Sequence, residues 1–129
     1  MANKVLIVDD EANIVAALEY LLQRNGYEVR SALNSDEALQ QVEAFSPDLV
    51  LLDIMMPQRS GYEVCQRIRE REDSSRMKIL MLSAKGREAE VSKGLSLGAD
   101  LYITKPFSNA ELVARIGELL GDERDPREA

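Results

Sequence analysis

Two short, continuous apolar runs, each ending in a carboxylate, constrain the fold of this chain more than any other feature. Residues 49–52 lead directly into Asp53, and residues 5–8 lead into Asp9 and Asp10. Four consecutive apolar residues fit a strand that is buried on both faces. Because an ionised carboxylate does not tolerate unpaired burial, each acid is predicted to lie where its strand emerges from the core.

Helical patterns separate the apolar runs. Five predicted strands alternate with five segments whose apolar residues recur at helical spacing. Short strand–helix–strand connections are right-handed and give a parallel sheet covered by helices on both faces, although this pattern does not fix the strand order. The predicted strands are 5–8, 27–30, 49–52, 79–82 and 101–103.

Several residues predict where the helices begin and end. Asn25 and Gly26 are predicted to close the first helix with a left-handed residue. Ser35 is predicted to cap the second helix, and Ser108 the last.

The third and fourth predicted helices differ in how well they are specified. The charged run 67–73 in and after the third helix is predicted to be solvated surface. The fourth helix has only a thin apolar stripe of Val91, Leu95 and Leu97, and Gly94 inside it costs about 1 kcal/mol relative to alanine. We therefore expect the fourth helix to shift easily.

Composition excludes several function classes. The formal net charge of −7 argues against a nucleic-acid-binding face, and the absence of histidine excludes histidine-based catalysis and histidine-ligated metals. The single cysteine, Cys65, leaves no internal disulfide and is predicted to be a small core residue. No signal-peptide pattern and no apolar run near ~18 residues occurs, so we expect a cytoplasmic protein with no membrane contact.

Polar residues follow the predicted strands at the points where they end. In a parallel sheet every strand delivers its carboxyl end to the same rim, so residues far apart in sequence meet there. Asp48 begins its strand instead, and we expect it at the opposite rim in a solvated or capping role. The residues predicted to meet are Asp9, Asp10, Asp53, Ser83 and Lys105.

Three carboxylates in one cleft repel one another unless a cation offsets their charge. Oxygen ligands with open positions suit Mg²⁺. The remaining coordination positions, the ammonium of Lys105 and the hydroxyl of Ser83 would together orient a phosphoryl group. Asp53 is then the candidate nucleophile.

These residues lie in five ordered motifs that closely resemble the receiver domain of two-component response regulators. The resemblance covers residues 4–120 and implies an α/β fold: a doubly wound, flavodoxin-like, five-stranded parallel sheet of order 2-1-3-4-5 with five helices. It implies a receiver domain over residues 1–120 and a charged tail or the start of a linker over 121–129. The motifs are residues 8–11, 51–57 with 60–61, 82–84, 98–100 and 102–107.

The resemblance implies a phosphorylation-dependent signalling switch that catalyses only its own phosphorylation and dephosphorylation. Asp53 would accept a phosphoryl group from a sensor histidine kinase, a phosphotransfer domain or a small donor such as acetyl phosphate. Asp10 would bind Mg²⁺ directly and Asp9 through water, with Asp53 and the backbone carbonyl of Met55 as further ligands. Lys105 would contact the phosphoryl group, and its bond to the following proline is predicted to be cis.

The resemblance also implies how the signal leaves the site. Ser83 would move toward the phosphoryl group and vacate space for Tyr102, changing the surface of helix 4, strand 5 and helix 5 that controls an output domain or downstream protein. The alternative for Tyr102 is a half-exposed strand aromatic.

Homodimerisation on phosphorylation is a further implication. In the family, charged pairs on helix 4, strand 5 and helix 5 hold the dimer, and this sequence has only part of that set. The family set is matched by Asp100, Glu111 and Arg115, whereas Val91 and Leu101 stand where charged residues are expected. An exposed Leu101 would instead suit a different partner.

Two other functional classes compete with the switch. A haloacid-dehalogenase-like phosphatase also uses aspartate and Mg²⁺, but its two acids are separated by one residue, whereas Asp9 and Asp10 are adjacent. A flavodoxin-like flavin binder needs a phosphate loop after the first strand, where these acids would repel the phosphate. A self-contained signalling protein and the input half of a larger regulator both remain open.

Overall fold

The computed structural model describes residues 3–54, 56, 61–71, 77–84 and 88–121, with residues 83, 84 and 88–90 described by their backbone alone. Strands and helices alternate along these ranges, as the sequence predicts. No helix among the described residues is long and apolar enough to span a bilayer. The elements are β1 (Lys4–Val8), α1 (Ala12–Arg24), β2 (Glu28–Ala32), α2 (Ser35–Phe45), β3 (Leu49–Asp53), α3 (Gly61–Arg69), β4 (Lys78–Ala84), α4 (Glu88–Ser96), β5 (Leu101–Lys105) and α5 (Asn109–Leu120).

The strands form one parallel sheet of order β2-β1-β3-β4-β5. This confirms the doubly wound, flavodoxin-like fold, including the strand order that the resemblance implied. The order in which strands are added to the sheet reverses between β1 and β3. The carboxyl ends of these two strands lie side by side at this switch point, which is where such folds bind ligands.

Both faces of the sheet are covered, which explains the continuous apolar runs. In β1, Leu6 and Val8 pack into the layer beneath α2 and α3, whereas Val5 and Ile7 pack into the layer beneath α1 and α5. All four residues are fully buried. Since successive side chains of a strand point to opposite faces, burial on both sides removes the polar alternation of a one-sided strand.

The predicted helix ends are mostly confirmed, with one correction. Gly26 follows α1 with φ of 89°, and the side chain of Ser108 accepts a hydrogen bond from the first turn of α5. Ser35 is instead the buried first residue of α2, and Asn34 is its cap. The Asn34 side chain accepts from the backbone N–H of Glu37 (2.8 Å), and its amide donates to the Glu37 carboxylate (2.9 Å).

Helix α4 packs differently from the predicted stripe. Leu95 is 41 % exposed, whereas Gly94 is buried. A Cβ added at Gly94 would overlap the sulfur of Met81 in β4. The glycine therefore lets the helix lie close to β4 without displacing the Met81 side chain.

Cys65 is a fully buried core residue, as predicted. Its thiol donates to the carbonyl of Leu97 at 3.7 Å, joining α3 to the segment after α4. Burial raises the pKa of the Cys65 thiol; the nearby Arg69 guanidinium opposes this shift and Asp100 adds to it. The thiol is thus predominantly protonated at neutral pH.

Truncation in the centre of the sheet should be costly. Leu51 in β3 is 0 % exposed, so we expect Leu51→Ala to lower the free energy of unfolding by about 2–5 kcal/mol through lost burial and a cavity. Urea denaturation measures this loss. Leu33→Ala, at a position 41 % exposed, is the matched control. Equal losses for the two variants would contradict the assignment of Leu51 to the core.

Candidate functional site

Three side chains from different strands meet at the carboxyl rim of the sheet. Asp9 follows β1, Asp53 ends β3, and Lys105 ends β5. The Lys105 ammonium lies 3.7 Å from Asp9 Oδ2 and 3.8 Å from Asp53 Oδ1. The bond from Lys105 to Pro106 is cis, as predicted. One cation thus lies against two carboxylates that are distant from it in sequence.

Asp9 is buried and only partly satisfied by hydrogen bonds. Its Oδ1 accepts from the backbone N–H of Glu11 at 3.0 Å, which fixes the turn between β1 and α1. Its Oδ2 is also buried and has no hydrogen-bond partner among the described residues. The ion pair with Lys105 offsets its charge, but an unfilled carboxylate oxygen is left facing the site. Such an oxygen is suited to coordinating a cation.

Asp53 is 5 % exposed, and the first residue of α3 lies close to its backbone. The backbone N–H of Gly61, the first residue of α3, donates to the Ile54 carbonyl at 2.9 Å. A Cβ added at Gly61 would overlap the Asp53 carbonyl oxygen. Only glycine permits this approach, so Gly61 helps to define the wall of the site beside Asp53. The sequence had marked Gly61 as part of a motif but had not assigned it this packing role.

Asp10 completes an acidic cluster. One carboxylate oxygen from each of Asp9, Asp10 and Asp53 can be chosen so that all three lie within 4.8 Å of one another. Asp10 is exposed, so the cluster is open to solvent on its side. Three carboxylate oxygens this close together form a donor set that fits a hard divalent cation with open coordination positions.

The other predicted site residues are described to different extents. Ser83 lies at the rim end of β4, but its side chain is outside the described part of the chain, as is the whole of Met55. Tyr102 in β5 is 41 % exposed, which suits both a switching residue and a half-exposed aromatic. Asp48 lies at the opposite rim, where its Oδ2 accepts from the Lys4 backbone N–H at 2.7 Å. The capping role predicted for Asp48 is confirmed.

The sequence missed a second polar centre, around Arg69 at the rim opposite Asp53. The prediction of a solvated charged run is wrong for this residue, whose guanidinium donates to the carbonyls of Met77 and Gly98 and forms an ion pair with Asp100. Two of the three acceptors are backbone carbonyls, which leave no mark in the sequence. Helical spacing did carry a signal, because Arg69 is one turn beyond the buried Cys65 and extends the apolar stripe of α3, whereas the exposed Arg67 lies off that stripe.

Two of the charged residues that the resemblance assigned to a dimer face have partners within the chain. Asp100 pairs with Arg69 at 2.6 Å, and Arg115 pairs with Glu118 at 2.6 Å. A dimer held by these charges would have to exchange existing ion pairs for new ones. Leu101 is half-buried, so it presents less apolar surface than the sequence led us to expect.

Comparison with known proteins identifies the family. The sequence profile described as "Response regulator receiver domain" matches residues 5–117. The chain belongs to this family. The receiver domain is a phosphorylation-dependent switch of two-component signalling, and the flavin-binding and dehalogenase-like alternatives are excluded by this membership.

Similar proteins and solved structures are also response regulators. The chain is 47 % identical over 120 residues to the alkaline phosphatase synthesis transcriptional regulatory protein PhoP of Bacillus subtilis, covering 93 % of this chain and 49 % of PhoP. A putative response regulator from Chloroflexus aurantiacus superposes with a TM-score of 0.89 at 38 % identity, covering 94 % of this chain and 99 % of that one. The chemotaxis response regulator CheY4 of Vibrio cholerae gives 0.88 at 30 % identity, covering 93 % and 100 %. The receiver domain thus spans about half the length of PhoP and the whole of the CheY4 chain.

The close approach at Gly61 can be tested by adding one methyl group. We expect Gly61→Ala to destabilise the fold by about 1–3 kcal/mol, because the Asp53 backbone or the start of α3 must move. Gly121→Ala, where a Cβ meets nothing within 4 Å, should cost only the strain of a left-handed residue, about 1 kcal/mol. Urea denaturation compares the two. A smaller loss at Gly61 than at Gly121 would refute the predicted overlap.

Proposed function

We propose that Asp53 is the phosphoacceptor of this receiver domain. Its support is the ion-paired cluster itself: a nearly buried carboxylate at the end of a central strand, 3.8 Å from an ammonium and beside two further carboxylates. A carboxylate oxygen of Asp53 would attack the phosphorus of the donor and form an acyl phosphate. The donor's bond to phosphorus breaks, releasing the imidazole of a phosphohistidine or, from acetyl phosphate, acetate.

Lys105 is proposed to serve both states of the site. Before phosphorylation its ammonium balances Asp9 and Asp53. After transfer the new group carries more negative charge than the carboxylate it replaces, and a cation fixed at the end of β5 is placed to bind one of its oxygens. The same charge would draw the donor's phosphoryl group to the rim.

The acidic cluster is proposed to hold Mg²⁺. Asp9, Asp10 and Asp53 would supply carboxylate oxygens, and the backbone carbonyl of Met55 is a further proposed ligand outside the described residues. When bound, Mg²⁺ supplies positive charge that offsets the acids and the phosphoryl oxygens. The buried oxygen of Asp9 that lacks a hydrogen-bond partner supports this proposal.

We further propose that the domain acts on no substrate but itself. Water would hydrolyse the acyl phosphate of Asp53 and regenerate the carboxylate, so the covalent state lasts a limited time. Ser83 and Tyr102 are proposed to couple that state to the surface of α4, β5 and α5, through movement of the serine side chain toward the phosphoryl group.

Partners are proposed from the relatives. A sensor histidine kinase or a phosphotransfer domain would donate the phosphoryl group, and a downstream protein or an attached output domain would read the α4–β5–α5 surface. Since PhoP is named as a transcriptional regulatory protein and is about twice as long as the matched region, an attached output domain is one alternative. The CheY4 chain, matched along its whole length, represents the stand-alone alternative. A boundary between the domain and a charged tail at residues 120 and 121 remains a prediction.

Asp53→Asn tests the phosphoacceptor. We expect intact-mass spectrometry to detect one phosphoryl adduct on the native chain incubated with acetyl phosphate and Mg²⁺, and none on Asp53→Asn. Asp48→Asn is the matched control, because Asp48 lies at the other end of β3. The asparagine keeps an oxygen that can accept the hydrogen bond from the Lys4 N–H. An adduct that persists in Asp53→Asn, or disappears in Asp48→Asn, would overturn the assignment.

Asp10→Asn tests the metal. Loss of one carboxylate should weaken Mg²⁺ binding, measured by calorimetry, by about 10-fold or more, and should slow adduct formation accordingly. Glu11→Gln is the control, since this neighbouring exposed acid is not part of the cluster among the described residues. Equal affinity for Mg²⁺ in Asp10→Asn and the native chain would remove Asp10 from the site.

A further inference from the structure

The guanidinium of Arg69 joins three segments that are separate in sequence. From the last residue of α3, its Nε donates to the Gly98 carbonyl at 2.8 Å, and its Nη1 donates to the Met77 carbonyl at 2.6 Å. Its Nη2 contacts Asp100 at 2.6 Å. A guanidinium is planar and always charged, so three such bonds fix the relative positions of their acceptors.

Asp100 extends this network into the sheet. The same carboxylate oxygen that contacts Arg69 accepts from the backbone N–H of Ile79 in β4 at 2.8 Å. The backbone N–H of Asp100 donates in return to the Ile79 carbonyl at 2.9 Å. Asp100 immediately precedes β5, so Arg69 and Asp100 together attach the start of β5 to both α3 and β4.

Gly98 shows how closely the chain passes over Arg69. Its φ is 115°, and a Cβ at this position would lie 2.7 Å from Arg69 Cγ. The backbone N–H of Ala99 donates to the Gly94 carbonyl at 3.1 Å and closes the end of α4. The carboxyl end of α4 is therefore closed by a turn that rests on the stem of Arg69 and whose Gly98 carbonyl accepts a hydrogen bond from the guanidinium.

Further contacts hold the same half of α4. Gly94 packs against Met81, and the Lys93 ammonium lies 4.7 Å from the ring of Tyr62 in α3. The other end of α4 begins at Glu88, four residues beyond the end of β4 at the rim of Asp53. A helix of 9 residues is about 13 Å long. It thus extends from the proposed phosphorylation rim to the Arg69 network.

We propose that Arg69 is a positioning residue for the phosphorylation switch. It fixes the carboxyl end of α4 and the start of β5, so that α4 turns about Gly98 when its amino end responds to the phosphoryl group. Tyr102 lies two residues beyond Asp100, so the same network sets where the tyrosine stands relative to α4. This inference rests on the proposed function of Asp53, because it concerns how phosphorylation is transmitted and not the chemistry.

Amide hydrogen exchange, measured segment by segment, tests whether residues 97–100 stay fixed on phosphorylation. The native chain is compared with and without excess acetyl phosphate and Mg²⁺. We expect phosphorylation to change exchange at residues 88–92 and at Tyr102, but by less than about twofold at residues 97–100. In Arg69→Gln we expect exchange at 97–100 to rise about tenfold before phosphorylation, and phosphorylation to alter this segment further while its effect at Tyr102 shrinks.

Arg67→Gln is the matched control, because Arg67 lies on the same helix and is exposed. It should behave as the native chain. Asp100→Asn is a second test that removes the charge but retains an acceptor for the Ile79 N–H, and it should reproduce the Arg69→Gln pattern more weakly. If Arg69→Gln does not fold, Asp100→Asn tests the proposal in its place.

Intact mass, recorded on the same samples, separates the two proposals. If the native chain gains no phosphoryl adduct, the proposed function fails and the switch role of Arg69 fails with it. If all chains gain the adduct and the Arg69 and Asp100 variants respond to phosphorylation as the native chain does, only the positioning role is refuted. An equally large native response at 88–92 and 97–100 would also refute it.

Discussion

The interaction on which the site depends is the approach of one ammonium to two buried carboxylates. Asp9 and Asp53 are almost completely removed from water, and such acids are tolerated only beside a compensating charge. Lys105 supplies it from the far edge of the sheet, at 3.7 and 3.8 Å. The parallel order of the strands is what allows a residue near the end of the chain to neutralise residues near its beginning and middle.

Much of this site could be predicted from sequence, because each of its residues is marked by the few residues that precede it. An apolar run followed by a polar residue marks a strand end wherever it occurs, and a parallel sheet gathers such ends at one rim. Asp9, Asp53 and Lys105 were found in this way without knowledge of the strand order. The cap of α2 was displaced by one residue, because Asn34 and Ser35 are both good caps and only the backbone decides between them.

The contacts that Arg69 makes at the opposite rim could not be predicted, for a physical reason. Arg69 binds two backbone carbonyls and one carboxylate that is 31 residues away, and a carbonyl is present at every position of any sequence. The two glycines of this region carried a partial signal. Gly94 was counted only as a cost to the helix and Gly98 only as part of a motif, whereas a Cβ at either position would overlap a side chain of a second segment.

The pairing of Lys105 with Asp9 and Asp53 also bears on how the protein is made. Synthesis proceeds from the amino terminus, so both acids leave the ribosome long before the lysine does. An emerging chain that lacks β5 also lacks the ammonium that offsets the charges of Asp9 and Asp53. The ion pairs of the rim can therefore form only after the last strand has been made.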